Sequence, residues 1–530
     1  MRLDRVYIDG FKNLRGVEAD FDETRLTTVI IGQNGAGKSN LIEAIIDVFR
    51  FVDLNRGVPR YVYEIDYRIG NHKVRLSNRS GEANIEVDGR VMARSAFERE
   101  KPEIFPDLVF GYYSGGSRRL EKLFDSHQRR YYDAIKTNDD AEDCQQALTE
   151  RRLFYCRPIH GIFSLFSFFS FPDPTVRRLL QDKLGITGFH SALAHFKEPW
   201  FAKGGQSNKL RAATELWDAK GPAGKCARDF RDQAFYPLRL IGNAIDDYRD
   251  KQQSEVQFAC FIKNRQTLER LKAGYSDDQE LFSALEAVDI SDLFRDLHLW
   301  VCRTNDESGD VSFADLSDGE RQLLMVLGLI RVSRGKRALF LLDEPDTHLN
   351  PLWQHSYLDL IREWTGQASD ASNCHIVMSS HNPLTIAALD RREVRIMFAD
   401  EQGKVSVTAP YTDPKGMGFT ATLTEIFGLP SSLDPDTQRQ VDERNMLARL
   451  DQRSEAQEKH LIEINDRLAR LGFMFEDREP LYQDFLRAWQ DVKYADRPPL
   501  SPEQIERRHT AMKVLIKGLM AKREKRIDLR

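Results

Sequence analysis

Eight residues near the N-terminus have the types and spacing of a phosphate-binding loop. Residues 32–39 read G-x-x-x-x-G-K-S, between an apolar, β-branched run at 26–31 and an apolar run at helical spacing at 40–46. In such a loop backbone N–H groups surround phosphate oxygens, and the N-terminus of the next helix favours negative charge. We expect Lys38 to reach the β- and γ-phosphates and Ser39 to ligate Mg²⁺. The loop predicts ATP binding through Asn34, Gly35, Gly37, Lys38, Ser39 and Asn40.

Two acidic residues and a histidine follow later predicted strands. Asp343 and Glu344 come directly after the apolar run 337–342, and His381 follows the apolar run 374–378. A carboxylate at the C-terminal end of a strand can hold Mg²⁺, so Asp343 is the predicted metal ligand beside Ser39. Glu344 is placed to act as a general base on an attacking water, and His381 to hydrogen-bond that water or the γ-phosphate.

A third segment, 316–322, opens a predicted helix just upstream of the strand at 337–342. It reads L-S-D-G-E-R-Q. Ser317 can cap that helix, and Gly319 permits a phosphate to approach its N-terminus closely. Helix and strand alternate between 311 and 383, which predicts a parallel sheet.

These motifs, in this order, resemble those of the ATP-binding-cassette ATPases, and within them the RecF and SMC type. The resemblance covers about 1–115 and 300–400, and the turn at 10–14 is also similar to the start of RecF-type heads. Two features depart from it: the signature has Asp318 and Glu320 where transporters have L-S-G-G-Q, and the family's glutamine is missing from 112–116. The resemblance assigns Walker A to 32–39, the signature to Ser317, Gly319 and Glu320, Walker B to 339–344, the D-loop to Asp346 and the switch histidine to His381.

The resemblance implies a composite active site. In such ATPases the signature of one head contacts the γ-phosphate bound to another head, so two nucleotides lie between paired heads. Ser317, Gly319 and Glu320 would therefore act in trans, whereas Glu344 and His381 would act in cis. ATP would favour the closed pair and hydrolysis would release it. A head-to-tail homodimer or higher oligomer is expected.

The sequence predicts an α/β fold, an ATP-binding-cassette head with a mixed sheet. Four segments are distinguished by composition. Residues 1–115 form a lobe with Walker A, and 300–410 form a lobe with the signature, Walker B and His381. Residues 116–299 are predicted to be a helical insertion. Residues 411–530 are predicted to be a helical region for partner binding or dimerisation, either as a surface helix pair or as a coiled-coil hairpin.

Composition limits the function classes. The chain has 530 residues, 41% hydrophobic residues and a net charge of −5. No apolar run is long enough to span a bilayer, and the six cysteines lack C-x-x-C spacing. We expect a cytoplasmic protein without a membrane partner, in which any nucleic-acid surface is a local patch.

Less specific sequence matches narrow the resemblance to the ATPases of bacterial antiphage systems, in particular the Septu type that also occurs beside some retrons. They are E-P-D-T-H-L-N-P at 344–351, R-P-I-H at 157–160, M-G-F at 417–419 and I-F-G-L-P at 426–430. The resemblance implies an ATPase subunit that controls a partner HNH nuclease. In the retron version a reverse transcriptase and its RNA-linked DNA (msDNA) would join them. The alternative is a RecF-like ATPase of DNA repair and chromosome maintenance.

Further patterns bear on nuclease activity and nucleic-acid binding. Asp434-Pro435-Asp436 could belong to a Toprim metal site, but no strand followed by Glu precedes it, so intrinsic nuclease activity is not expected. The aromatic run 163–171 is predicted to be a buried helix face. Paired basic residues could contact nucleic acid or simply be solvated helix faces; these pairs and clusters are Arg118-Arg119, Arg129-Arg130, Arg151-Arg152, Arg177-Arg178 and the tail at 522–526.

Overall fold

A computed structural model describes residues 1–135, 141–199, 215–244, 254–366, 374–400, 402–429, 431–450 and 452–473. The chain forms two compact units, Met1–Pro430 and Ser431–Arg530. The predicted segments 1–115, 116–299 and 300–410 all belong to the first unit, and their status as separate domains stays a prediction. Among the described residues, no helix is both long enough and apolar enough to cross a bilayer.

In the described residues of the first unit, the strands build three sheets. They are β1 (Arg2–Asp9), β2 (Val17–Asp20), β3 (Thr27–Gly32), β4 (Val62–Ile69), β5 (His72–Ser77), β6 (Asn84–Val87), β7 (Arg90–Val91), β8 (Leu108–Tyr113), β9 (Leu153–Tyr155), β10 (Ile186–Lys197), β11 (Leu238–Asn243), β12 (Ser254–Ile262), β13 (Phe294–Arg303), β14 (Asp306–Ser312), β15 (Ala338–Asp343), β16 (His375–Ser379), β17 (Val394–Ala399) and β18 (Val405–Thr408).

The α-helices cover and connect these sheets. In the first unit they are α1 (Lys38–Leu54), α2 (Arg94–Ile104), α3 (Asp125–Ile135), α4 (Ala141–Glu150), α5 (Ile159–Ser170), α6 (Pro174–Arg178), α7 (Gly221–Gln233), α8 (Arg265–Lys272), α9 (Asp278–Ile290), α10 (Asp318–Val332), α11 (Pro351–Gly366), α12 (Pro383–Ile386) and α13 (Gly418–Ala421). In the second unit they are α14 (Pro435–Ala448) and α15 (Glu455–Arg470).

The central sheet positions the predicted chemistry. Its order is β18-β17-β3-β16-β15-β8-β9, and all neighbours are parallel except β17 and β18. Every residue of β15 is buried, as expected for a strand covered on both faces. The carboxyl ends of β3, β8, β15 and β16 therefore meet at one edge of the sheet. This topology confirms the predicted α/β head and its parallel sheet.

The predicted helical insertion is wrong in one respect, because residues 116–299 also contain sheet. Strands β10, β11 and β12 and the first part of β13 lie in that segment, within the antiparallel sheet β11-β12-β10-β13-β14. In β10, Phe189, Ala194 and Phe196 are buried, and Ser191 and Ala192 between them are buried as well. Aromatic residues favour strands as well as helices, so their presence did not indicate a helix. The third sheet, β2-β1-β4-β5-β6-β7, is antiparallel as well.

The aromatic run is confirmed as a buried helix. It lies mostly in α5, where Phe163, Phe166 and Phe168 are fully buried in the larger hydrophobic core. Apolar side chains surround this helix, in agreement with its lack of a polar face.

The second unit contains a helical hairpin. Buried leucines and an isoleucine of α14 and α15 form its core: Leu447, Leu461, Ile464 and Leu468. Asp434 caps α14 by accepting hydrogen bonds from the N–H groups of Asp436 and Thr437, which gives Asp434-Pro435-Asp436 a structural role. The helical prediction is confirmed for 435–448 and 455–470 within the region 411–530, and the basic tail 522–526 lies outside the described residues.

Burial of His375 predicts a loss of stability in acid. Its Nδ1 accepts the N–H of Leu3 at 3.0 Å, and its Nε2 lies 3.1 Å from Thr28 Oγ1. Burial, with a smaller effect of Arg2, lowers the pKa of His375 to about 3. Because the unfolded chain then binds the proton more readily, the stabilising effect is complete above the ordinary pKa of about 6.5 and declines as pH falls toward 3.

We expect protonation linked to His375 to lower the free energy of unfolding by about 1.4 kcal/mol when the pH falls from 7.5 to 5.5. Urea unfolding at both pH values measures the loss in the wild type and in His375→Asn, which keeps a hydrogen-bond acceptor but cannot titrate. His72→Asn, a change at a partly exposed histidine, is the control. Equal pH dependence in the wild type and His375→Asn would contradict the prediction.

Candidate nucleotide-binding site

The loop between β3 and α1 is shaped by its glycines. Gly35 and Gly37 have φ of +84° and +99°, in the left-handed region that favours glycine. A Cβ on Gly37 would lie 2.9 Å from Leu14 Cδ2 and 3.0 Å from the amide of Asn13. Within the part of the chain that the structure describes, no side chain caps the start of α1, so its first N–H groups stay available for a phosphate. Asn34 and Gly35 are exposed on the outer side of the loop.

Two asparagines brace this loop. Asn40 donates its amide N–H to Asn13 Oδ1 at 2.7 Å, and Asn13 donates to the carbonyl of Gly35 at 2.9 Å. Asn40 was predicted from the motif to contact nucleotide, whereas here its amide fixes Asn13. Sequence reasoning missed Asn13 itself, although the turn at 10–14 that contains it was part of the resemblance.

Lys38 is folded back over its own loop. Its Nζ donates to the carbonyl oxygens of Gly32 at 2.8 Å and Gln33 at 3.2 Å. Burial lowers the pKa of Lys38, and the nearby Glu344 and Asp343 oppose that shift. Backbone carbonyls are weaker partners for an ammonium than phosphate oxygens are, so this side chain is ready to exchange them.

Asp343 fits a magnesium ion. Its Oδ1 accepts hydrogen bonds from Ser39 Oγ at 3.0 Å and Ser379 Oγ at 2.5 Å. Its Oδ2 is buried and has no hydrogen-bond partner among the described residues, an arrangement that is costly without a ligand. Those residues contain no group of three or more His, Cys, Asp or Glu side chains suited to a metal. Asp343 and Ser39 would therefore hold Mg²⁺ together with substrate phosphates, as this ion prefers.

Glu344 and His381 lie side by side at the same edge. Glu344 Oε1 is 3.3 Å from His381 Nε2, and both side chains are partly exposed. Burial, followed by the charge of Lys38, lowers the pKa of His381, which favours the neutral ring near pH 7. Glu344 has φ of +55°, a conformation that costs a non-glycine residue about 1 kcal/mol and is concentrated at functional sites. Its N–H donates to Ser379 O and Oγ, which holds it there.

The carboxylate of Asp346 points into the protein. It accepts hydrogen bonds from Ser380 Oγ at 2.7 Å and Thr385 Oγ1 at 2.6 Å. Burial raises the pKa of Asp346. Asp346 thus ties the segment after β15 to the segment after β16, and its assignment to a D-loop stays a prediction.

The signature segment forms a capped helix start. Ser317 and Glu320 make a reciprocal capping box at the N-terminus of α10, and Glu320 also pairs with Arg303. Ser317 is exposed, whereas Gly319 is buried against the carbonyl oxygen of His348. Close packing against His348 therefore accounts for the presence of a glycine at position 319. Contact of Ser317, Gly319 and Glu320 with a second head stays a prediction.

Gln322 makes hydrogen bonds that the spacing of the sequence motifs did not predict. This buried side chain donates to Tyr112 Oη at 3.0 Å and accepts the N–H of His348 at 3.1 Å. Its Nε2 also lies 3.5 Å from the carbonyl oxygen of Glu344. Gln322 thus joins the signature helix to β8 and to the segment that follows the predicted base.

Gly319→Ala should destabilise the first unit. The added Cβ would lie 2.6 Å from His348 O, so backbone must shift. We expect a loss of about 1–3 kcal/mol of unfolding free energy, measured by urea unfolding. Gly116→Ala is the matched control, since its Cβ would meet nothing within 4 Å. Equal stability of the two variants would refute the packing role.

One of the basic pairs is unavailable to nucleic acid. Arg151 is buried with its Nη1 at 2.7 Å from Glu286 Oε1, and Arg152, also buried, donates to the carbonyl of Pro106 at 3.0 Å. The hypothesis that Arg151-Arg152 forms a binding patch is wrong because the pair lies in the interior, next to β9. Arg129, Arg177 and Arg178 are exposed.

Comparisons with known proteins agree with this site. A family model described as AAA ATPase domain matches residues 1–92. A second, described as AAA domain, putative AbiEii toxin, Type IV TA system, matches residues 205–387. The Septu protein PtuA of Bacillus mycoides (strain KBAB4) is 23% identical over 164 residues, which cover 29% of this chain and 22% of that protein. The chain resembles an ATPase of the ABC and SMC class and the Septu protein PtuA. That predicted resemblance is confirmed.

Solved structures of ATPase heads are also similar. The Smc head derived from Pyrococcus furiosus, bound to the C-terminal domain of ScpA, has 15% identity and a TM-score of 0.33, covering 77% of this chain and 96% of that one. RecF with ATP has 12% identity and a TM-score of 0.25, covering 72% of this chain and 92% of that one. At these TM-scores the likeness carries no conclusion about function.

Proposed function

We propose that this chain is the ATP-binding and ATP-hydrolysing subunit of a bacterial antiviral defence complex. ATP-dependent pairing of its heads would control a partner nuclease of the HNH type. The observation that carries the ATPase part is the meeting of Lys38, Ser39, Asp343, Glu344 and His381 at one sheet edge. The similarity to the Septu protein PtuA supports the defence role.

The side chains divide the hydrolytic work. Lys38 would leave the carbonyls of Gly32 and Gln33 and bind the phosphates. Glu344 would orient a water and accept its proton as the water oxygen attacks the γ-phosphorus, and ADP would leave. Neutral His381 would fix the position of Glu344 and of the γ-phosphate. Mg²⁺, held by Ser39 and Asp343, would neutralise phosphate charge.

The signature would couple hydrolysis to assembly. Ser317 lies exposed at the start of α10, where it can face the nucleotide of a second copy. Gln322, three residues after Gly319 in the same helix, contacts Tyr112 and lies near the carbonyl of Glu344. Engagement of the signature could therefore be transmitted to the base through one buried amide. A two-state pair biased by ATP is the switch that we propose acts on the nuclease.

Other partners follow from the resemblance alone. A retron reverse transcriptase and msDNA would be bound through surfaces that include exposed arginines, such as Arg129 and Arg177. We assign nucleic-acid cleavage to the partner HNH nuclease and not to this chain.

Purification of the tagged chain from cells that carry its neighbouring genes tests this function. We expect a copurifying HNH nuclease, and we expect the genes together to reduce phage plating. Lys38→Ala should abolish protection, whereas Lys73→Ala, at an exposed residue of β5, should not. Recovery of a recombinase-loading partner, with no protection from phage, would overturn the proposal.

A further inference from the structure

Arg119 lies among the acidic groups of the nucleotide site. Its Nη2 is 3.6 Å from Asp343 Oδ2, and its Nε is 3.8 Å from Glu43 Oε2. Its guanidinium carbon is 5.3 Å from the centre of the Tyr113 ring. Arg119 follows β8 by six residues, beyond the stretch 112–116 in which the family's glutamine is absent.

The guanidinium is held by charge and not by hydrogen bonds to these acids. Both N–O distances exceed hydrogen-bonding range, and the buried Nε has no partner among the described residues. The neighbouring Arg118 differs, because its Nε donates to Glu121 at 2.6 Å and its side chain is 65% exposed. Among the described residues, the guanidinium of Arg119 therefore has N–H donors without hydrogen-bond partners, and they lie beside the acidic groups of the nucleotide site.

Two cations would compete for the same carboxylate oxygen. Asp343 Oδ2 is the buried atom that fits Mg²⁺, and among the described residues Arg119 is the cation paired with it. Two cations beside one oxygen repel each other, so entry of a metal ion favours displacement of the guanidinium. Phosphate oxygens accept paired N–H bonds from a guanidinium better than single carboxylate oxygens at 3.6 Å do.

We propose that Arg119 is a positioning residue that neutralises Asp343 before nucleotide binds and turns to the ATP phosphates when Mg²⁺ and ATP arrive. The inference rests on the proposed ATP site and names a residue for it that no motif contains. The proposal specifies an order of events. Arg119 leaves Asp343 as Mg²⁺ enters, and Arg119 then binds the nucleotide.

Metal and nucleotide binding can be measured separately. Mn²⁺ serves as the metal probe in electron paramagnetic resonance titrations, and a fluorescent ATP analogue reports nucleotide affinity. Without nucleotide, Arg119→Ala should bind Mn²⁺ about three- to tenfold more tightly than the wild type, because a screened neighbouring charge is removed. Its affinity for the ATP analogue should fall about tenfold.

Arg119→Lys keeps the charge and should bind Mn²⁺ like the wild type, with an intermediate loss of ATP affinity. Arg118→Ala is the matched control and should leave both affinities unchanged. Unchanged or weaker Mn²⁺ binding in Arg119→Ala, or unchanged ATP affinity, would overturn the role of Arg119 alone. Failure of the wild type to bind the ATP analogue would instead overturn the proposed function, and this inference with it.

Discussion

Glu344→Gln should slow ATP hydrolysis by about 10²- to 10⁴-fold, the range of a general base, while ATP affinity changes little. The substitution removes the proton acceptor and keeps the shape of the side chain. It also leaves the N–H contact with Ser379 that holds the left-handed backbone. Because ATP would then persist, we expect paired heads to accumulate.

Single-turnover hydrolysis of labelled ATP measures this effect without interference from product release. Glu363→Gln is the matched control, since Glu363 lies on α11 and pairs with Arg178 at the surface. Hydrolysis by Glu344→Gln at the wild-type rate would show that Glu344 is not the base.

Lys38→Ala should weaken ATP binding by about 100-fold or more, because it removes the cation that would bind the phosphates. The fold should survive, since among the described residues Lys38 donates only to two carbonyls of its own loop. Equilibrium binding of a fluorescent ATP analogue gives the affinity, and thermal unfolding without nucleotide checks stability. An affinity within threefold of the wild type and of Lys73→Ala would contradict the assigned role.

The part of the site that could be predicted from sequence is the part that local spacing encodes. The loop at 32–39 is contiguous, and its glycine conformations follow from residue type. Asp343, Glu344 and His381 could be assembled because parallel strands place their carboxyl ends at one edge.

The contacts of Asn13, Gln322 and Arg119 could not be predicted in the same way. Each depends on how distant segments pack, and Gln322 and Tyr112 are 210 positions apart in the sequence. Gly319 was assigned by resemblance to a phosphate contact, but its tight neighbour within the chain is the carbonyl of His348. Only the packed structure shows that neighbour.

The fold outside the site was harder to predict where strand and helix patterns compete. The segment of α5 is predicted to be a buried helix because large apolar residues occur on every side of the helix and leave no charged face. In β10 and β12, aromatic and small residues mix with His, Gln and Lys, which weakens the period-two signal. Pairing with β13, about a hundred residues after β10, stabilises β10 as a strand.

A mixing experiment tests the composite site most directly. Lys38→Ala removes the phosphate-binding loop of a head but leaves its signature, whereas Ser317→Arg blocks the signature but leaves the loop. We predict that each variant alone has almost no ATP turnover and that mixing them restores it, because a mixed pair contains one intact site. A mixture as inactive as its components, or wild-type turnover by Ser317→Arg alone, would contradict the claim that two copies of this chain complete one another's active site.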